Sequence, residues 1–104
     1  MSNPTPPSIR YFVFHTPGPK WQHGVDSREQ DGVRNHVQHY LKFHDQGKLE
    51  LGGPFLLQDA GGMMVATKDV SPEELESFAA ADPAVQSGLL LYEIRPWLTA
   101  MEHT

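Results

Sequence analysis

Two polar side chains stand where the sequence pattern asks for apolar burial, and together they could move a proton. His36 lies on the flank of one amphipathic stretch, Val33-Arg34-Asn35-His36-Val37-Gln38-His39-Tyr40-Leu41, and Asp82 closes a second, Leu75-Glu76-Ser77-Phe78-Ala79-Ala80-Ala81-Asp82. A buried imidazole and a buried carboxylate are each costly alone and tolerable as a hydrogen-bonded pair. Paired, the carboxylate would hold the imidazole in one tautomer and stabilise its imidazolium form, the equipment of general acid–base catalysis. At the end of a helix the Asp82 charge opposes the macrodipole, a penalty of about 0.3–1 kcal/mol, so a partner is expected. His36 is one candidate. The other is a backbone N–H of the Asp82-Pro83 turn, onto which the carboxylate can fold back as a cap.

Other chemistry finds less support. His36 and His39 occupy neighbouring helix positions, but no further ligand set accompanies them and His39 falls on the solvent flank, so no metal site is expected. His44 lies nearer the centre of the helix stripe than His36. It is expected to be a core or interface histidine bonded to backbone, with support of the catalytic pair the lesser option. His15, His23 and His103 carry no spacing argument. Gly52-Gly53 and Gly61-Gly62 are turn glycines, since neither leads into a helix as a phosphate-binding loop would. Glu73, Glu74 and Glu76 form a solvated first-turn face. With no cysteine in the chain, thiolate nucleophiles, disulfides and Cys-ligated metal centres are excluded. No cofactor is expected.

The elements that must position the pair follow from periodicity. Residues 8–15, with Ile9, Tyr11, Phe12, Val13 and Phe14, read as a strand apolar on both faces, and 16–26 as a long loop holding Trp21. Trp21 folds back either as a lid or simply to pack the loop onto the body. Residues 27–45 read as a helix whose stripe is Val33, His36, Val37, Tyr40, Leu41 and His44, stopped near Gly47. A strand over 48–57 is interrupted at Gly52, Gly53 and Pro54, and a third covers 63–68 after the turn at 58–62. Ser71, Pro72 and Glu74 give the cap, first-turn proline and capping box of a helix that runs to Asp82 before Pro83. The last strand is 88–97.

The order βαββαβ is a split βαβ, ferredoxin-like α+β arrangement: a four-stranded antiparallel sheet with two helices on one face. Two helices cover only that face, whereas the first and last strands are apolar on both. A second copy is the simplest cover, so a homodimer is expected.

At 104 residues the chain is one domain. Residues 1–7, rich in proline, read as a disordered tail, 8–98 as the domain and 99–104 as a C-terminal tail. The formal charge of −5, from 8 basic and 13 acidic residues, argues against a nucleic-acid partner. No stretch is long and apolar enough to span a membrane, and residues 1–7 lack signal-peptide features, so a cytoplasmic location is expected.

An ordered set of residues then resembles a known family. His36, His44-Asp45-Gln46-Gly47-Lys48-Leu49, Gly53-Pro54, Phe78-Ala79, Asp82-Pro83, Gly88 and Ile94-Arg95-Pro96-Trp97 together are similar to the YCII-related (YciI-like) domain, over nearly the whole chain. Where some relatives have arginine three places before the helix histidine, this chain has Val33, with Arg34 one place later. The resemblance implies a ferredoxin-like fold pairing into a dimeric α+β barrel, and a His–Asp active-site dyad that falls on His36 and Asp82. It implies cofactor-free acid–base chemistry of lyase, dehydrochlorinase or isomerase type on a small cyclic, hydroxylated or halogenated compound. Trp21, Tyr40, Gly53, Pro54 and Phe55 are the residues expected around such a substrate. The alternatives are a non-catalytic dimeric small-molecule-binding module, or a haem-binding or monooxygenase-like α+β-barrel protein.

Overall fold

The computed structural model describes residues 8–102; the proposed tail at 1–7 and His103 lie outside them. The elements in order are β1 (Ser8–Pro17), a single 3-10 turn (Ser27–Glu29), α1 (Val33–Asp45), β2 (Leu49–Pro54), β3 (Gly62–Ala66), α2 (Pro72–Ala80), α3 (Pro83–Ser87) and β4 (Leu90–Thr99). The strands form one open antiparallel sheet in the order β2-β3-β1-β4. The fold is therefore α+β and ferredoxin-like, as its element order implied. No helix among the described residues is long and apolar enough to cross a membrane.

Strand alternation divides the sheet into two unlike faces. Val13 pairs with Ile94 and with Met64, and these side chains meet Tyr40 and Phe43 of α1 and Leu75 and Ala79 of α2 in the core. Burying a side chain such as Phe43 or Leu75, each 1% exposed, contributes roughly 1.5–3 kcal/mol. On the other face Phe12 sits edge-on to Trp97, Phe14 packs on Phe55, and the Arg95 guanidinium lies 4.5 Å over the Phe14 ring. No described element covers that face. Leu51, Leu91 and Trp97 on it are 60%, 52% and 45% exposed.

Several sequence expectations change. The helix expected from residue 27 begins only at Val33, because Gly32 takes φ +95°, a left-handed conformation that interrupts the helical path. The buried stripe of α1 is His36, Tyr40 and Phe43. His36 moves from its edge to its centre, and His44 is exposed. His39 is half-buried rather than solvent-facing: it stacks on Phe78 and its Nε2 donates to the Phe78 carbonyl at 2.7 Å. In β2 the irregularity lies between Leu49 and Leu51, while Gly52, Gly53 and Pro54 keep regular pairing with β3.

The second helix also stops short of Asp82. Ser71 caps its start by accepting from the Glu74 N–H at 3.1 Å, while the Glu74 carboxylate turns to Lys48. Ala81 ends α2, and Asp82 is the N-cap of a new short helix, α3, with Pro83 at its first position. The macrodipole penalty expected at Asp82 thereby becomes a favourable placement of negative charge.

Candidate active site

Asp82 is fully buried and uses both carboxylate oxygens. Oδ1 accepts from the Ala84 N–H at 2.9 Å, which caps α3, and Oδ2 accepts from His36 Nδ1 at 2.6 Å. The two partners open on the sequence are thus served at once, one by each oxygen. Because Nδ1 faces the carboxylate, it carries the proton, and Nε2 is the basic nitrogen of the neutral ring. Nε2 has no hydrogen-bond partner among the described residues.

A third polar group was not singled out by the sequence. His15, 1% exposed, stands on β1 on the same face as Tyr11 and Val13. Its ring lies edge-on to His36 with centroids 5.0 Å apart. Nδ1 donates to the Leu91 carbonyl and Nε2 pairs with the Tyr40 hydroxyl, both at 3.1 Å. Strand parity puts His15 on one face with Tyr11 and Val13, but with both faces of the strand apolar it does not say that this face is the core, where a histidine must find partners. His15, His36 and Asp82 bring donor atoms within 4.8 Å of one another, a spacing a metal ion could bridge. In this structure hydrogen bonds already engage both nitrogens of His15, both oxygens of Asp82 and Nδ1 of His36, so an ion would have to displace some of them.

Burial pushes the His15 pKa down from 6.5 to about 4, and the neighbouring His36 adds to the fall while the bond to Leu91 opposes it. The unfolded chain binds this proton near pH 6.5 and the folded chain only near 4. Between those values the unfolded state holds more protons, so stability falls as pH drops from 6.5 to 4 and this contribution levels off below. The loss expected across that window is about 3 kcal/mol. Urea unfolding at stepped pH, on wild type and His15→Leu, checks it: the variant should lose this part of the slope, and an unchanged slope would refute the assignment.

His15, His36 and Tyr40 line a cavity of about 520 Å³ between α1 and the β2–β3 side of the sheet. Its walls are otherwise largely apolar, with Val33, Val37 and Leu41 from α1 and Met64 from β3. Gly52, Gly53 and Pro54 complete one side and Trp21 another, while Arg28 and Arg34 also reach the lining. Of the residues expected around a substrate, Trp21, Tyr40, Gly53 and Pro54 line this cavity. Phe55 does not; it packs on Phe14 across the sheet.

Trp21 packs the loop onto the body. Its ring packs with Ala84, Leu89 and Leu90 as well as facing the cavity. Its indole N–H donates to Asp59 Oδ1 at 2.8 Å, and the same carboxylate accepts from Gly24 N at 3.3 Å. The Trp21 contact holds the Asp59 carboxyl below its usual pKa. From the other side buried Gln30 grips the loop: its Oε1 accepts from Gln22 N, and its Nε2 donates to the Gln22 and Val25 carbonyls. Residues 21–25 of the long loop are therefore held from two sides beside the cavity.

A family model for the YCII-related domain matches residues 9–98, and the chain belongs to that family. Among solved structures it is similar to a 5-chloro-2-hydroxyhydroquinone dehydrochlorinase from Burkholderia phenoliruptrix AC1100, in complex with 2,5-dihydroxybenzoquinone. That likeness has a TM-score of 0.59 at 20% identity and covers 91% of this chain and 95% of the other. At that identity it bears on the fold. No curated protein matches the chain.

Proposed function

We propose that the chain is a small-molecule enzyme that uses His36 and Asp82 for general acid–base chemistry, of lyase, dehydrochlorinase or isomerase type, on a small hydroxylated or halogenated ring. The observation that carries the reading is the 2.6 Å bond from His36 Nδ1 to Asp82, made by a histidine on the wall of an apolar cavity. Asp82 fixes the tautomer, and Nε2 accepts a proton from a ring hydroxyl or an acidic C–H. The carboxylate balances the imidazolium so formed. The proton then returns to a neighbouring carbon, or goes to solvent when chloride leaves. A cavity of about 520 Å³ falls in the range of small-ligand sites, roughly 300–1,000 Å³, and suits one ring compound. The dehydrochlorinase that shares the fold is named for a substrate of that kind.

The test is turnover across chlorinated hydroquinols, catechols and small lactones, read by chloride release and by product spectra. Wild type should act on a member of the panel and His36→Ala should not. Binding without turnover in wild type would favour a non-catalytic module instead.

We propose also that a second copy covers the outer sheet face. Leu51, Leu91 and Trp97, each about half exposed, lie on one side of the sheet with Phe12 and Phe14, an apolar surface of the kind that marks an interaction site. Light scattering should give twice the chain mass of 11.7 kDa, and Leu91→Glu should return it to the single value. A single-chain mass for wild type at micromolar concentration defeats this proposal.

A further inference from the structure

The hydrogen bonds of His15 fix more than its own tautomer. The Leu91 carbonyl can only accept, so Nδ1 of His15 carries the ring proton. In the neutral ring Nε2 is then an acceptor, and the hydrogen in its 3.1 Å contact with Tyr40 must come from the Tyr40 hydroxyl. Burial keeps His15 neutral at pH 7. Burial and the Asp82 charge also push the Tyr40 pKa up, so the phenol keeps its proton. Tyr40 has only one hydrogen to give, and it points at His15. What remains on its oxygen is acceptor capacity, and no described group donates to it. Tyr40 and His15 both belong to the cavity wall.

We propose that Tyr40 is a specificity-determining residue, presenting a fixed hydrogen-bond acceptor to the cavity, with His15 as the positioning residue that turns its proton away. The inference rests on reading this cavity as the substrate site and narrows the substrate class to rings that bring a hydroxyl or N–H donor. Hydroxylated rings satisfy Tyr40. Ketones, ethers and halides offer only acceptors and meet lone pair against lone pair.

Binding, rather than turnover, tests it, so failure of the proton-transfer chemistry leaves this test standing. The probes are hydroquinone, 1,4-difluorobenzene and 1,4-cyclohexanedione, titrated by NMR. Wild type should prefer hydroquinone, and Tyr40→Phe should shrink its preference over difluorobenzene by about 5–10-fold, the worth of one neutral hydrogen bond. His15→Leu frees the Tyr40 proton and should raise the affinity for the dione. Equal weakening of hydroquinone and difluorobenzene in Tyr40→Phe would reduce Tyr40 to a wall, and failure of hydroquinone to bind wild type at millimolar concentration also overturns the proposal. Independently of any variant's folding, a long-range ¹H–¹⁵N spectrum of wild type should show His15 as the Nδ1–H tautomer at pH 7. The Nε2–H tautomer overturns the assignment.

Discussion

Asp82→Asn is expected to lower turnover by about 10²–10⁴-fold, the range that a positioned acid–base group contributes, while leaving the protein close to wild type in stability. The asparagine carbonyl can still accept from the Ala84 N–H, which Asp82 Oδ1 now does at 2.9 Å, so the α3 cap survives. Its amide N–H₂ then faces His36 Nδ1. Two donors cannot share that contact, and the imidazole shifts to its Nε2–H form, which removes the basic nitrogen. Asp82→Ala removes more. It costs the cap, about 0.5–2 kcal/mol, and strands a buried His36 N–H, about 1–3 kcal/mol. Thermal melting should therefore separate the two variants, with alanine lower by roughly 7–23 °C. An asparagine variant that keeps full activity would reduce the pair to architecture, and an alanine variant that melts with wild type would show that neither oxygen matters to the fold.

The pair was legible in the sequence because its cost was legible: a carboxylate on the stripe of Leu75 and Phe78 demands a partner wherever the chain places it. How it is held was not. Pro83 reads as a helix stop after Asp82, yet proline at the first position is equally a helix start, and the structure uses it so. In α1 the spacing rule fits two stripes. One is Val33, Val37 and Leu41; the other is His36, Tyr40 and Phe43. The expected stripe joined all of the first to His36 and Tyr40 of the second, and the core took only the second.

The reason the valines and Leu41 stay out of the core bears on function. Val33, Val37 and Leu41 line the cavity, with Val37 and Leu41 48% and 50% exposed. Their apolar character matches a ligand face rather than a packed core. His36 and Tyr40 are buried instead because each has found a polar partner on another element, Asp82 and His15 respectively. On α1 local pattern and global structure part company at the candidate site, which is where such conflicts are expected to concentrate. His15 was missed for a related reason. Strand parity assigns it to a face but cannot say that the face at that level lines a cavity.

The largest expected effect on stability comes from a residue with no side chain. Gly61 has φ +82°, and a Cβ built there would lie 1.9 Å from the His15 carbonyl oxygen, 2.8 Å from the His15 carbonyl carbon and 3.1 Å from Thr16 Cα. All three are backbone atoms of β1, held by the pairing of His15 with Gly62 and with Tyr92, so no rotamer change relieves the clash. Gly61→Ala must displace the end of β1 and His15 with it, at an expected cost above about 4 kcal/mol. That is a large part of the 5–15 kcal/mol typical of a domain. Gly32→Ala is the matched control. It has a similar φ of +95°, but the new Cβ would touch only Leu89 Cδ2, at an ordinary 3.7 Å, so left-handed strain of about 1–2 kcal/mol is all it should add. Urea unfolding of the two variants separates the clash from the strain. Equal losses would mean that the hairpin yields easily at Gly61, and that the backbone beneath His15 is softer than its hydrogen bonds imply.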